Sequence, residues 1–503
     1  MKIFRTAQVK SIDAATIAYE PIASIDLMER ASRMLTQAIF GRFGAKGVCF
    51  AVFAGPGNNG GDGLAVARML AALGEEVKVW LVNPKGRLSS DCSCNLVRLQ
   101  QCGVPVVECS DVFATPVLPN NSIIVDALFG SGLSKPVGGL FAEVVGFINN
   151  SCRTVVAIDI PSGLPGEDSG GYPADGIVHA HLTYTLQFPK LSLLMPENER
   201  FFGMWQTIDI SLSPKAIAEQ PSNMFFTQQE DVRALVRPRS LFSHKGDNGR
   251  ALLVAGSQGM AGASILAAKA ALRSGAGLLT LHIPRCSNII LQSCVPEAMT
   301  RLDSCDTHIS SVALSAPYNA VAAGPGLGMH KDTEAALLRL IEETQVPMVL
   351  DADALNLLAR NPQWLSKLPP HSILTPHPGE FARLSGTVGS RAMQIEKASA
   401  LAREYGLYVV LKGAYTAVCT PEGEIHFNSS GNPGMAKGGS GDVLTGIILA
   451  LLARGYSSRD ASIMGTYIHG LAGDIAAARL GMTAMTAGDI VDSLPSAWKQ
   501  LEQ

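Results

Sequence analysis

Gly55-Pro56-Gly57-Asn58-Asn59-Gly60-Gly61-Asp62-Gly63, "GPGNNGGDG", joins an apolar run, "GVCFAVFAG", to a helix-like one, "GLAVARMLAALG". A strand, a glycine-rich turn and a helix in this order let backbone N–H groups approach an anion at the helix amino terminus. A dinucleotide-binding turn has the same layout, yet here two asparagines and a carboxylate stand inside it. Asp62 would repel a pyrophosphate placed directly there, which argues against an ordinary hydride-transfer site. Taken alone, Asp62 reads equally as a helix N-cap, and Asn58 and Asn59 as turn residues.

The surrounding sequence decides what the turn belongs to. "EEVKVWLVNP", "SIIVDALFG", "TVVAIDIPSG" and "HLTYTLQFP" read as further strands alternating with helical segments, and residues 5–40 read as helices. Alternation of this kind implies a mostly parallel sheet covered on both faces. Asp126 and Asp159 fall at the carboxyl ends of their strands, the edge where open α/β sheets bind ligands. Three acids and an amide pair then face one crevice. Oxygen-rich sites suit a hard cation or sugar hydroxyls, with glycine amides nearby for phosphate.

With 503 residues, the chain exceeds one ordinary core and suggests two domains. Apolar residues at 47%, charged residues at 17% and 50 glycines fit a globular α/β protein. A balance of 40 basic to 43 acidic residues gives no field that would draw nucleic acid or an acidic membrane. Arg5, Lys10 and Asp13 interrupt any signal-peptide core, and "GIILALLARG" is too short to span a bilayer and reads as buried helix. A cytoplasmic location is expected. The ten cysteines show no paired CxxC spacing and read as buried small hydrophobes. Periodicity fades over Ser211–Met224, where Pro, Ser and Asn gather, and a second, different α/β series follows.

In that second series "NPGMAKGGSGDVLTG", Asn432–Gly446, places Gly438, Gly439 and Gly441 just before an apolar helix. Their amides and the helix dipole form an anion hole with Asp442 at its rim. A carboxylate beside an anion hole fits phosphoryl transfer, accepting the proton of the attacking hydroxyl. The bland alternative makes Asp442 an N-cap. Lys412 ends the strand-like "YVVLKG" and could reach a phosphate; His377, between two prolines in "LTPHPGE", sits in a preset loop that favours a ligand contact or a structural role. "AAGPGLG" and "LDADALN" add a glycine turn with Asp351 and Asp353, and no P-loop motif occurs.

Taken together, "DLMERAS", "GPGNNGGDG", "VDALFGSGL" and "AIDIPSGL" resemble the epimerase domain of NAD(P)H-hydrate repair enzymes, over about residues 1–215. "SHKGDNGRALLVAGS", "AGPGLG", "LDADAL", "LTPHPGEF", "LKG" and "MAKGGSGDVLTG" resemble the ADP-dependent NAD(P)H-hydrate dehydratase, over about residues 225–503. The resemblance implies an α/β chain with a Rossmann-like three-layer domain followed by a ribokinase-like one. It implies that the first interconverts R and S forms of hydrated NADH and NADPH (NADHX and NADPHX). The second would dehydrate the S form while ADP becomes AMP and phosphate.

Carried over residue by residue, the resemblance implies epimerase substrate contacts at Asn58, Asn59, Gly60, Gly61, Asp62, Gly130, Ser131, Gly132, Leu133, Ser134, Lys135, Pro136 and Asp159. Asn59, Asp126 and Ser162 would hold potassium. Asp126 and Asp159 are both candidates to move the epimerising proton. In the second domain Ala263, Gly326, His377 and Asp442 would touch the hydrate, Asp442 being catalytic. Lys412, Gly413, Ala414, Tyr415, Thr416, Asn432, Lys437, Gly438, Gly439, Ser440 and Gly441 would hold the adenine nucleotide with Mg²⁺. A homo-oligomer is expected. Two other readings stand beside this one: a ribokinase-like small-molecule kinase with a dinucleotide-binding regulatory domain, and an amino-terminal half that only senses dinucleotide.

Overall fold

Cys49–Ala54 (β1) is buried at every position, as a strand covered on both faces must be. In the computed structural model, which describes residues 1–503 except 45–46, 168–169, 171 and 315, it is the middle of a parallel sheet. The chain divides into two compact units, Lys2–Ser222 and Asn223–Gln503, the latter with Met1. The division falls inside the Ser211–Met224 stretch, which also carries a short helix, Pro214–Glu219, capped by the Ser213 hydroxyl.

In the first unit β1 is followed by β2 (Glu76–Val82), β3 (Val106–Cys109), β4 (Ser122–Ala127), β5 (Thr154–Ile158), β6 (Leu182–Leu186) and β7 (Met204–Ile208). Their order across the seven-stranded sheet is β3-β2-β1-β4-β5-β6-β7, with every neighbouring pair parallel. The winding order of the strands therefore reverses between β1 and β4, the switch point where doubly wound sheets bind ligands. Helices α1 (Thr6–Tyr19), α2 (Ser24–Phe43), α3 (Asn58–Ala72), α4 (Ser90–Gln101) and α5 (Leu140–Asn150) complete the layers. On one face Phe53 stacks on Trp80 with centroids 5.0 Å apart, within a core that includes Ile124, Val144 and Ile148.

Three glycines set the turn after β1. A side chain at Gly55 would meet the Leu128 carbonyl oxygen at 1.9 Å, one at Gly60 the Gly55 oxygen at 1.8 Å, and one at Gly63 the Ala127 Cβ at 2.5 Å. Each allows a backbone approach that no other residue permits.

The second unit repeats the layering with different connections. Its strands are β8 (Met224–Thr227), β9 (Arg250–Val254), β10 (Leu278–Ile283), β11 (Met299–Leu302), β12 (Ala320–Ala323), β13 (Met348–Leu350), β14 (Ile373–Leu374), β15 (Tyr408–Leu411), β16 (Ala417–Cys419) and β17 (Ile425–Asn428). They lie in the order β8-β17-β16-β15-β14-β13-β12-β9-β10-β11. From β11 through β15 all pairs are parallel; only β16 pairs antiparallel with its neighbours. The segments that leave β9, β12, β13, β14 and β15 thus emerge at one edge. Helices α6 (Ala261–Arg273), α7 (Lys331–Glu343), α8 (Ala352–Arg360), α9 (Pro378–Ser385), α10 (Arg391–Tyr405), α11 (Ser440–Ala453), α12 (Ser458–Leu480) and α13 (Ala487–Glu502) cover it. The apolar run of α11 is buried against α6, where a side chain at Gly446 would meet the Ala267 carbonyl at 2.1 Å. Among the described residues no helix is long and apolar enough to cross a membrane.

The expectation of buried cysteines holds for Cys49, Cys92, Cys109 and Cys419 and fails for Cys102, Cys152, Cys286 and Cys294, which are exposed. Cys102 and Cys152 sit at helix carboxyl ends, which no core covers.

Candidate functional site

The first crevice opens where α3 begins. Gly57 is the N-cap of α3, so Asp62 is not the cap; it lies a full turn inside the helix and is buried. The Ser32 hydroxyl donates to it at 3.0 Å. Burial pushes its pKa up to about 8, and the nearby Asp159, Asp13 and Asp91 add to the effect. A protonated Asp62 carries no charge to repel a phosphate, which answers the difficulty raised by its place in the turn.

Asp126, at the end of β4, is wholly buried and fully engaged. The Ser162 hydroxyl and amide donate to it at 2.6 and 2.8 Å, and the Leu128 amide at 3.3 Å. Burial lifts its pKa to about 6 against the pull of these donors. Ser162 Oγ in turn accepts from the Phe129 amide at 2.8 Å. Next along the chain, a side chain at Gly130 would meet Asp159 Oδ2 at 3.1 Å and Asn59 Oδ1 at 3.3 Å. Asp126, Ser162, Gly130, Asn59 and Asp159 therefore form one contiguous lining.

Asp159 follows β5 with φ +66, a conformation that costs a non-glycine residue energy and marks functional positions. Its carboxylate accepts from the Ser131 amide at 3.1 Å and pairs with Lys190 at 2.8 Å. Burial alone would raise it, but the Lys190 charge and these hydrogen bonds outweigh burial and hold it below the usual range. Lys190, buried beyond β6, is also bound by the Leu186 carbonyl at 3.0 Å and the Thr185 hydroxyl at 3.2 Å. Asp13 on α1 lies near the pair, and burial moves it to about 6. The rest of the loop, Gly132–Pro136, is largely exposed, with the Lys10 ammonium beside Gly132.

One buried polar atom here has no hydrogen-bond partner: Asn59 Nδ2. That amino group is a donor and fits a ligand oxygen, whereas Asn59 Oδ1, which lies beside Gly130 with Asp159, is the end able to ligate a hard cation.

The second crevice gathers at the carboxyl edge of β12–β15. Gly439 (φ +89) is the N-cap of α11 and Asp442 lies in its first turn. Asp442 is thus not the cap. Burial pushes its pKa up to about 7, with Asp351 raising it further and Lys412 opposing. Lys412, expected on a phosphate, reaches Asp351 Oδ1 at 2.7 Å and Glu380 at 3.8 Å. A side chain at Gly441 would stand 3.1 Å from the Lys412 nitrogen, so the ammonium lies directly beside the amides of the anion hole. The Thr445 hydroxyl donates to Asp351 at 2.8 Å. Burial raises Asp351, but Lys412 and Thr445 outweigh it and keep the carboxylate ionised.

Ala263 and Gly326 come together: a side chain at Gly326 (φ +61) would meet Ala263 Cβ at 3.2 Å. Asp353 fixes the same loop by accepting from the Gly328 amide at 2.8 Å. His377 caps α9 by accepting from the Gly379 amide at 3.0 Å, while half its side chain stays open to solvent. Thr416 closes the turn after Lys412 on Gly413. Asn432 caps the next turn on Gly434 and donates to Asp474 at 2.9 Å. Lys437 spends its ammonium on the Thr483 and Met485 carbonyls, tying down the loop that leads to Gly438.

Sequence reasoning missed Lys190, Asp13, Lys10, Glu380, Thr445, Asp474 and His469. His469 lies 3.2 Å from Ser440 Oγ, and burial with the Lys412 charge pushes its pKa down to about 4. Lys190, just past the strand "HLTYTLQFP" on the ligand edge, carried a signal: its position at a strand's carboxyl end matches that of Asp126 and Asp159. The helix-borne Asp13, His469 and Asp474 carried none.

Fold and sites together define a two-domain α/β enzyme, Rossmann-like in its first unit and ribokinase-like in its second, each with a polar crevice at the strands' carboxyl edge. Residues 24–192 match the family model of the YjeF-related protein N-terminus, and residues 251–496 that of NAD(P)H-hydrate dehydratase. The bifunctional NAD(P)H-hydrate repair enzyme of Moorella thermoacetica is 37% identical over 100% of this chain and 98% of its own. That of Escherichia coli is 36% identical over 88% and 84%. The ADP/ATP-dependent NAD(P)H-hydrate dehydratase from Bacillus subtilis, co-crystallised with ATP and Mg²⁺, aligns with 56% of this chain and 100% of its own at 33% identity and TM-score 0.51. The chain belongs to the family of bifunctional NAD(P)H-hydrate repair enzymes.

Proposed function

We propose that residues 1–215 epimerise NADHX and NADPHX and that residues 225–503 dehydrate the S isomer with conversion of ADP to AMP and phosphate. The observation that carries this reading is the second crevice, where Asp442 meets the glycine amides of α11 with Lys412 alongside.

In the dehydratase site, the hydrate's hydroxyl oxygen attacks the terminal phosphoryl group of ADP as Asp442 takes its proton. The amides of Gly438, Gly439 and Gly441 hold the charge that gathers on the transferring phosphate. Hydroxide is a poor leaving group and phosphate a good one. The ring nitrogen's lone pair then expels phosphate, and loss of a ring proton restores the reduced nicotinamide. Mg²⁺ would neutralise nucleotide phosphate charge, with Asp353 and Glu380 as nearby carboxylates.

In the epimerase site, Asp126 has no exposed surface, whereas Asp159 keeps some of its side chain open and is held ionised by Lys190. That contrast supports Asp159 as the group that exchanges a proton with substrate and Asp126 as a fixed anchor. Asn59, Asp126 and Ser162 would hold potassium, which would balance the carboxylates. Lys10 and Lys135 would meet the dinucleotide's phosphates. A cytoplasmic homo-oligomer completes the proposal.

Separate assays distinguish the two halves. Supplied with pure S isomer and ADP, the enzyme should regenerate NADH whatever the state of Asp159; supplied with R isomer it should need both sites. A chain that instead accumulates a phosphorylated alcohol would be a kinase.

A further inference from the structure

We propose that His308, His330 and Asp332, in the second unit, form a binding site for a divalent transition ion of the zinc type. Among the described residues, one ligand atom from each of the three lies within 4.8 Å of the others. His308 Nε2 is 3.3 Å from Asp332 Oδ2, and His330 Nδ1 is 3.5 Å from the same oxygen. Ligands about 2.0–2.2 Å from a tetrahedral zinc ion stand roughly 3.3–3.5 Å apart. The two distances to Asp332 Oδ2 match that edge.

The site is held by its surroundings. The loop carrying His308 is wound around Asp303, which accepts from the amides of Cys305, Ser310 and Ser311 at 2.8, 3.0 and 3.1 Å. The Thr333 hydroxyl fastens it to α7 by donating to the Ile309 carbonyl at 2.8 Å. His308 Nδ1 lies 3.1 Å from Thr307 Oγ1 and 3.3 Å from Cys305 Sγ, either of which can accept its proton. That tautomer leaves the Nε2 lone pair for the ion, the usual outer-partner arrangement of a metal-binding histidine.

A bland reading exists: His330 caps α7, its Nδ1 accepting from the Asp332 amide at 3.2 Å. An ion would take over that lone pair. The positive helix end opposes it, and Asp332 and Glu334 in the first turn offset this. Two imidazoles and a carboxylate are a zinc donor set, and the exposure of His330 and Asp332 leaves room for water to complete the shell. The bound ion would pin the loop wound around Asp303 to α7.

The test is a Co²⁺ titration of the full-length, metal-stripped chain without nucleotide, followed by visible absorption. The expected result is one tetrahedral ion per chain, with affinity falling roughly 10- to 100-fold or more in the His308→Gln/His330→Gln variant. Zn²⁺ should raise the melting temperature of the parent and not of the variant. Unchanged dehydration in the metal-free variant would show that it is folded; should it not fold, the single Asp332→Asn change carries the same expectation. No tetrahedral bands at saturation, or an unaltered titration in the folded variant, would overturn the proposal.

Discussion

The Lys412 ammonium lies 2.7 Å from Asp351 and, across the bare backbone of Gly441, beside the anion hole that Asp442 borders. Asp351 raises the Asp442 pKa, and Lys412 lowers it. A base must be deprotonated to act, so dehydration should fall as pH drops through about 7. Asp351→Asn removes a negative neighbour and should move that limb to lower pH. Lys412→Met should move it higher. A pH–kcat/KM profile of the three proteins checks the ordering, and coincident limbs would remove Asp442 from the role of base.

Asp62 should oppose folding near neutrality. Its folded pKa of about 8 lies above the ordinary 3.8. Below the unfolded value both states are protonated; above it only the unfolded chain ionises, so stability is lost progressively as pH rises toward 8. Asp62→Asn should therefore raise the melting temperature more at pH 8 than at pH 5, the two conditions at which both proteins are to be melted. Equal shifts would mean that Asp62 is ionised in the folded protein.

Lys190→Met should strand Asp159 without its cation, abolish epimerisation and cost about 3–5 kcal/mol of stability. Lys190→Met with Asp159→Asn should regain most of the stability, since asparagine tolerates positive φ, yet stay inactive. Denaturant unfolding beside an R-isomer assay separates the two effects. Epimerisation by the double variant would show that the pair is structural only.

How much of this was legible in the sequence follows the range of the interactions. The turn glycines and the acids at strand ends are local features, and Gly55, Asp126, Asp159 and Asp442 were readable. The apolar run "GLAVARMLAALG" begins at Gly63 and so puts Asp62 at the helix start; α3 instead begins at Asn58, since Gly57 can take the cap position and Asn58 and Asn59 continue as helix. Lys412 was readable as a site residue, but its partner Asp351 comes from another strand, and adjacency of strands is a tertiary fact. Lys190 to Asp159 and Ser32 to Asp62 are pairings of the same long-range kind.

Gly55 and Gly57 should differ sharply. An alanine Cβ at Gly55 would stand 1.9 Å from the Leu128 oxygen, whereas at Gly57, with φ −93, it would meet nothing within 4 Å. Gly55→Ala should unfold or cripple the first unit, and Gly57→Ala should melt within a few degrees of the parent. Similar melting of both would contradict the close approach of the turn to β4.

The most direct measurement is absorbance at 340 nm after mixing the enzyme with an R/S mixture of NADHX, ADP, Mg²⁺ and K⁺, beside Asp442→Ala and Asp159→Asn. The parent should recover NADH from both isomers; Asp159→Asn should recover only the S fraction beyond spontaneous epimerisation; Asp442→Ala should lose roughly 10²–10⁴-fold in rate. Recovery by Asp442→Ala at the parent's rate, or no recovery by the parent, would contradict a repair enzyme built on these two crevices.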